Sequence, residues 1–278
     1  MNAELLSAGF TDEILKRMID IWCVCQYGNS VEASVKSGYM YSKLNAQINP
    51  ITNPSIINPS AKMQVSKKGI EKLNYFETGG KEYYEKRLSN FTWPGGSSGV
   101  TVGVGFDCGY YSRQEIIDTW TGYVNGNVIA LMLEVQGLRG VQAKMRINEQ
   151  MRRAYISYEV AVEVLLHKIL PVEAVKTENT YPGVTALFPD AQAALLSLIY
   201  NRGTKLQDDP GETRRREMKA IAPLVIAKDY KGIAAQIILM KRLWEGQNMG
   251  GLLDRRDDEA TLILHSDREY SPDEIISI

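Results

Sequence analysis

The sequence predicts an α+β fold in which a small β-hairpin region lies beside a mostly helical lobe, leaving a cleft between them. Three observations carry this expectation. The stretch Gly99 to Gly109 is rich enough in glycine to double back on itself. Apolar residues recur at helical spacing through most of the chain beyond residue 65. One segment, Ala191 to Tyr200, carries apolar residues nearly all round its helical circumference, as a helix at the centre of a bundle does.

The elements follow in order. Residues 11–26 suit a short helix with Thr11 as cap and Ile14, Met18 and Ile21 on one face, and Asn45 to Ala61, rich in Asn, Pro, Ile and Ser, lacks periodicity. The chain therefore divides into residues 1–64, a helix and linker serving either as an appendage or as a targeting or loading module, and a domain over residues 65–278. Ser66 can cap a helix bearing Ile70, Leu73 and Phe76, which Gly79 and Gly80 end, so that Glu77 falls in its last turn. If the chain reverses over Gly103, Val104 and Gly105, a three-residue loop suited to positive φ, Thr101 comes to lie opposite Asp107 with Val102 and Phe106 on the other face.

Downstream, Ser112 and Glu115 form a capping box for a helix through Trp120, and Ser157 can cap one running to Ile169, stopped by Pro171. Asp190 is expected to cap the central helix, which Gly203 ends. Lys219 to Ala227 is expected to break at Pro223, Ile233 to Trp244 follows, and Leu252 to His265 closes the domain.

Glu77 and Asp107 invite a chemical reading. A carboxylate in the last turn of a helix faces the negative end of the dipole, and an apolar border adds to the pressure against ionisation, which is what a general acid needs. One protonated and one ionised acid on separate elements is the arrangement of glycoside hydrolysis. Each residue also has a plainer role: Glu77 as a surface carboxylate, Asp107 bonding its own backbone, Thr101 as a strand hydroxyl. Asn201 and Arg202 either line the cleft or cap the central helix. His167 and His265 are isolated and read as structural, and the glycines lack dinucleotide-loop spacing, so no metal or cofactor is expected.

At these residues the chain resembles the phage-type lysozymes, and within them the branch of pesticin-like muramidase domains and related phage endolysins. The likeness rests on a helix ending in Glu77, on the hairpin pattern Thr101-x-Gly103-x-Gly105 and on Asp107 six residues after that Thr. It continues in Ala194 to Gly203, similar to the family's central helix, and in Trp244 followed by Gly251 to Ala260, similar to its closing helix. In many phage lysozymes the second carboxylate precedes the Thr, whereas here Trp93 to Gly99 contains no acid, which shifts the role to Asp107.

The resemblance implies a lysozyme-like fold over residues 65–278 and an N-acetylmuramidase of inverting stereochemistry, with Glu77, Thr101 and Asp107 as catalytic residues and peptidoglycan glycan strands as substrate. A lytic transglycosylase and a non-catalytic wall-binding protein of the same fold are the alternatives. A formal net charge of −1 gives no global pull toward nucleic acid or other anionic polymers. Arg214, Arg215 and Arg216 read as a solvated face. Cys23, Cys25 and Cys108 lack disulfide, zinc or redox spacing, which fits synthesis in a reducing cytoplasm. With neither a signal peptide nor an integral membrane segment in the sequence, the enzyme is expected to act on the wall or in the periplasm after release or delivery. A holin pathway or secretion apparatus engaging residues 1–64, and an immunity protein, are the partners this implies.

Overall fold

A computed structural model of the protein describes residues 63–278, so the helix expected over 11–26, the linker over 45–61, and Cys23 and Cys25 lie outside the described residues. In chain order the elements are β1 (Gln64–Ser66), α1 (Lys67–Thr78), α2 (Lys81–Arg87), β2 (Thr101–Val102), β3 (Phe106–Asp107), α3 (Arg113–Trp120), α4 (Gly126–Glu134), α5 (Gly140–Arg146), α6 (Glu149–Arg153) and α7 (Tyr158–Val164). A π-helical turn over Leu165–Ile169 leads to α8 (Leu170–Thr180), α9 (Pro189–Arg202), α10 (Arg216–Ile226), α11 (Tyr230–Leu239), α12 (Gly250–Leu264) and β4 (Ile275–Ser277). The class is broadly α+β, mostly helical with two small two-stranded sheets among the described residues.

These residues form two compact units, residues 81–165 and residues 63–80 with 166–278. In the second unit α9 is the hub: it packs against β1, α1, α8 and α12, and every residue from Asp190 to Ile199 is buried. Helix α1 reaches α9 through Gly69, where a Cβ would come within 2.3 Å of that of Ala193. Ser66 caps α1 by accepting the Gly69 amide at 3.1 Å, and Gly79, at φ 67°, ends it. Strand β1 pairs antiparallel with β4, Val65 opposite Ile276, and Met63 is fully buried, so ordered packing begins at least two residues before the compositional boundary at 65.

The first unit is built on the hairpin. Phe106 stacks on Tyr111 with centroids 4.0 Å apart and meets Trp120 edge-on at 5.6 Å, closing a core under β2 and β3. The capping box that opens α3 is formed as expected, with both the Ser112 and the Glu115 half made.

Three expectations are corrected. Pro171 does not stop a helix: the π turn widens the ladder before it, and Pro171 falls in the first turn of α8, where no amide partner is required. Pro223 does not break α10, because it sits on the exposed face, where the carbonyl one turn earlier can bond water. Asp190 does not cap α9. Phe188 holds the cap position with Pro189 behind it, and Asp190 instead accepts from Arg268 Nε at 3.1 Å.

Candidate active site

In the second unit, Glu77 stands in the last turn of α1 as the spacing of Ile70, Leu73 and Phe76 requires, and its side chain is 19% exposed. Its Oε1 accepts a hydrogen bond from Arg255 Nη1 at 2.5 Å, and among the described residues no hydrogen bond reaches Oε2. Arg255 projects from the buried face of α12 and is itself pinned. Its Nη2 donates to the Ser197 carbonyl at 3.0 Å, its Nε faces Ser197 Oγ at 3.2 Å and Glu259 Oε1 at 3.3 Å, and its guanidinium lies 5.6 Å from the centre of the Phe76 ring. Ser197 Oγ donates to Glu259 Oε1 at 2.6 Å, and Arg256 Nη2 reaches the same oxygen at 2.8 Å.

This is a buried ionic network of Glu77, Arg255, Glu259 and Arg256 tied to the central helix through Ser197. Burial pushes Arg256 below the ordinary arginine range, with Arg255 adding repulsion, while Glu259 works the other way. Buried charge of this kind contributes little net stability but fixes geometry, and losing one member is costly. From sequence, Glu77 is set against a helix dipole and an apolar border. The structure adds a charged partner 178 residues away that spacing could not supply. The signal available in the sequence was Arg255 and Glu259 four residues apart among buried positions of α12.

Glu77 lines an open groove of about 480 Å³ whose other walls include Phe76, Asn201, Asn248, Met249 and Arg255. Asn201 therefore lines the groove rather than capping α9. Arg202, next along the chain, has a structural part: its Nη2 donates to the Arg214 carbonyl at 2.9 Å, its own carbonyl accepts from Arg215 Nη1 at 2.6 Å, and its guanidinium lies 5.0 Å from the Trp244 ring centre. Burial, reinforced by Arg215 and Arg214, pulls Arg202 down to about 10.

In the first unit, the hairpin has the expected register, Thr101 opposite Asp107 and Val102 opposite Phe106. Gly103 and Gly105, at φ 57° and 72°, make the three-residue loop. Val102 and Phe106 are buried, while Thr101 and Asp107 are half-buried on the other face. Both carboxylate oxygens of Asp107 accept backbone amides, Oδ2 from Gly99 at 2.9 Å and Oδ1 from Gly109 at 2.8 Å. The Thr101 backbone exchanges hydrogen bonds with Thr92 at 2.7 and 3.0 Å, and its hydroxyl has no hydrogen-bond partner among the described residues. The glycines flanking the pair are there for space: a Cβ on Gly99 would lie 2.2 Å from Asp107 Oδ1 and 2.7 Å from the Gly109 backbone.

Cys108 is a buried free thiol pushed above the ordinary range by burial and by the neighbouring Asp107 charge, which leaves it inert as a nucleophile. His265 Nδ1 lies 2.9 Å from the Thr261 carbonyl. Among the described residues no group of three metal-ligating side chains is assembled, and no helix is long and apolar enough to cross a membrane. No protein-family model matches the chain, and the curated proteins contain no match to it.

Proposed function

We propose that the protein is a peptidoglycan hydrolase that cleaves the β-1,4 bond between N-acetylmuramic acid and N-acetylglucosamine. The observation that carries the reading is the setting of Glu77: a carboxylate at a helix end, held through one oxygen by a buried guanidinium, with its second oxygen unclaimed beside an open groove. Such a group can present a proton in a fixed direction, which is what general-acid catalysis demands of its donor.

In this mechanism Glu77 is the general acid: a proton passes from its Oε2 to the glycosidic oxygen as the bond to the anomeric carbon breaks, while Arg255 keeps Oε1 in place. Water attacks the anomeric carbon from the opposite face and the product configuration is inverted. To Asp107, with Thr101 opposite it by register, we assign the role of taking that water's proton. The substrate is the glycan strand of a bacterial wall, reached by release or delivery from the producing cell in phage lysis or in attack on a competitor.

A second reading is favoured by one observation. Both oxygens of Asp107 are already engaged by backbone amides, which suits a brace better than a base and leaves Glu77 as the acid of the pair with an unclaimed oxygen beside a groove. A lone acid serves a lytic transglycosylase, in which the 6-hydroxyl of the muramic sugar attacks its own anomeric carbon and yields an anhydro product. Mass spectrometry of fragments released from purified peptidoglycan by the full chain decides. Muramic acid with a free reducing end supports hydrolysis, anhydromuramic ends support the second reading, and no released fragment contradicts both.

A further inference from the structure

Close along the chain to Asp107, the first unit carries a group of side chains that the mechanism above does not use. The Arg139 guanidinium lies 4.1 Å from the centre of the Tyr110 ring, and Lys144 Nζ lies 5.3 Å from that of Trp93. Tyr110 is 57% exposed although it follows directly on the tightly packed Gly109. A stacked cation covers one face of an aromatic ring and leaves the other for a ligand.

The two pairs hang from one junction of backbone. Trp93 Nε1 donates to the Ser98 carbonyl at 3.0 Å, and the same carbonyl accepts the Gly140 amide at 2.8 Å at the start of α5, which carries Lys144. Arg139 Nε donates to the Gly109 carbonyl at 3.1 Å, and Gly109 in turn donates to Asp107. The Trp93 ring and the Arg139 guanidinium are thus held in place before any ligand arrives, which lowers the ordering cost of binding.

Neither cation has an acidic partner among the described residues. Asp107 is taken up by two amides, and Glu134 is paired with Arg146 at 3.2 Å. Two exposed cations set against aromatic faces form a surface that takes a flat apolar face and a negative charge together. A pyranose ring offers such a face, and a carboxylate attached to it offers the charge.

We propose that Trp93, Tyr110, Arg139 and Lys144 form a binding rim for the muramic acid residue of a glycan strand, the cations receiving the carboxylates of its peptide stem. This deepens the muramidase reading and rests on it for the identity of the glycan. The rim distinguishes peptide-bearing muramic acid from neutral N-acetylglucosamine, which lacks the charge.

The test is calorimetric titration of the full chain in a Glu77→Gln background, so that ligand is not consumed. The probes are a disaccharide muropeptide with free stem carboxylates and the neutral tetramer of N-acetylglucosamine. The double variant Arg139→Gln/Lys144→Gln is expected to bind the muropeptide about tenfold more weakly, as loss of a charge-assisted contact implies, and the neutral tetramer unchanged. Lys144→Gln alone, which breaks no hydrogen bond in the structure, guards against a folding defect and is expected to show the same selectivity in smaller degree. Tyr110→Ala should weaken both ligands. The proposal is overturned if the cation variants bind the muropeptide as tightly as the parent, or if affinity for both probes falls equally. If the wild-type chain releases wall fragments but the rim variants bind normally, the rim fails and the muramidase reading stands. Rim-dependent binding in a chain that releases no fragments upholds the rim and overturns the muramidase reading.

Discussion

Glu77 and Asp107 are both carboxylates close to glycine, yet the two units hold them in different ways. Glu77 is gripped through one oxygen by a side chain from a distant helix, and the grip is ionic. Asp107 is gripped through both oxygens by amides two and eight residues away, and the grip is backbone geometry. The first arrangement leaves one oxygen unclaimed, at the cost of burying a charged network. The second uses the whole carboxylate to lock a turn. A pair of acids legible as equals in the sequence is thus held, once folded, by two different supports, a side chain from a distant helix for one and the local backbone for the other.

The contrast can be broken by removing each support in turn. Glu77→Gln keeps an oxygen for Arg255 but loses the transferable proton, and clearing of purified peptidoglycan in a turbidity assay is expected to slow by at least about 100-fold with circular dichroism unchanged. Arg255→Met strands Glu77 and Glu259 with fewer partners in a buried site, and chemical denaturation should register a loss of about 3 kcal/mol or more. On the other side of the comparison, Gly99→Ala drives a methyl group into Asp107 Oδ1. It should destabilise the unit of residues 81–165 by about 1–3 kcal/mol, seen in thermal melting, without touching any group of the Glu77 network.

A smaller effect, confined to acid, sharpens what ionic support means in the Glu77 unit. Burial alone would raise Glu217, but hydrogen bonds from Arg242 at 2.7 Å and from Arg216 at 3.0 Å bring it below its ordinary 4.5. A carboxylate with a depressed folded-state pKa stabilises the fold above its unfolded value, and that stability disappears as pH falls through the folded value. Glu217→Gln should therefore lower the melting temperature at neutral pH and reduce the further drop that the wild-type chain shows below about pH 4.5.

Much of the local architecture is legible in the sequence alone. The Ser66 and Ser112 caps, the Gly79 stop and the Thr101–Asp107 register depend on residues a few positions apart, where backbone sterics and turn chemistry act almost alone. The prolines at 171 and 223 mislead because a helix tolerates Pro in a first turn, after a π turn, or on a wet face, and none of these contexts is written in the residue itself. The β1–β4 pairing joins segments at opposite ends of the described chain, and three-residue strands carry too little pattern to announce a partner. For the candidate site, the sequence supplies Glu77, Thr101 and Asp107 but not the Arg255 grip or the amide bonds to Asp107. The amide bonds to Asp107 need the close approach at Gly99, and the Arg255 grip joins residues 178 positions apart, both of which only the packed structure defines.

The most direct measurement pairs two variants, Glu77→Gln and Asp107→Asn, each assayed for thermal melting and for wall clearing at a temperature where both remain folded. Glu77→Gln is expected to stay folded and to clear wall at least about 100-fold more slowly than the wild-type chain. Asp107→Asn, which can keep only one of its two amide bonds, is expected to melt at a lower temperature. A Glu77→Gln chain that still clears purified peptidoglycan at close to the wild-type rate would contradict the assignment of Glu77 as the acid and with it the division of roles between the two carboxylates.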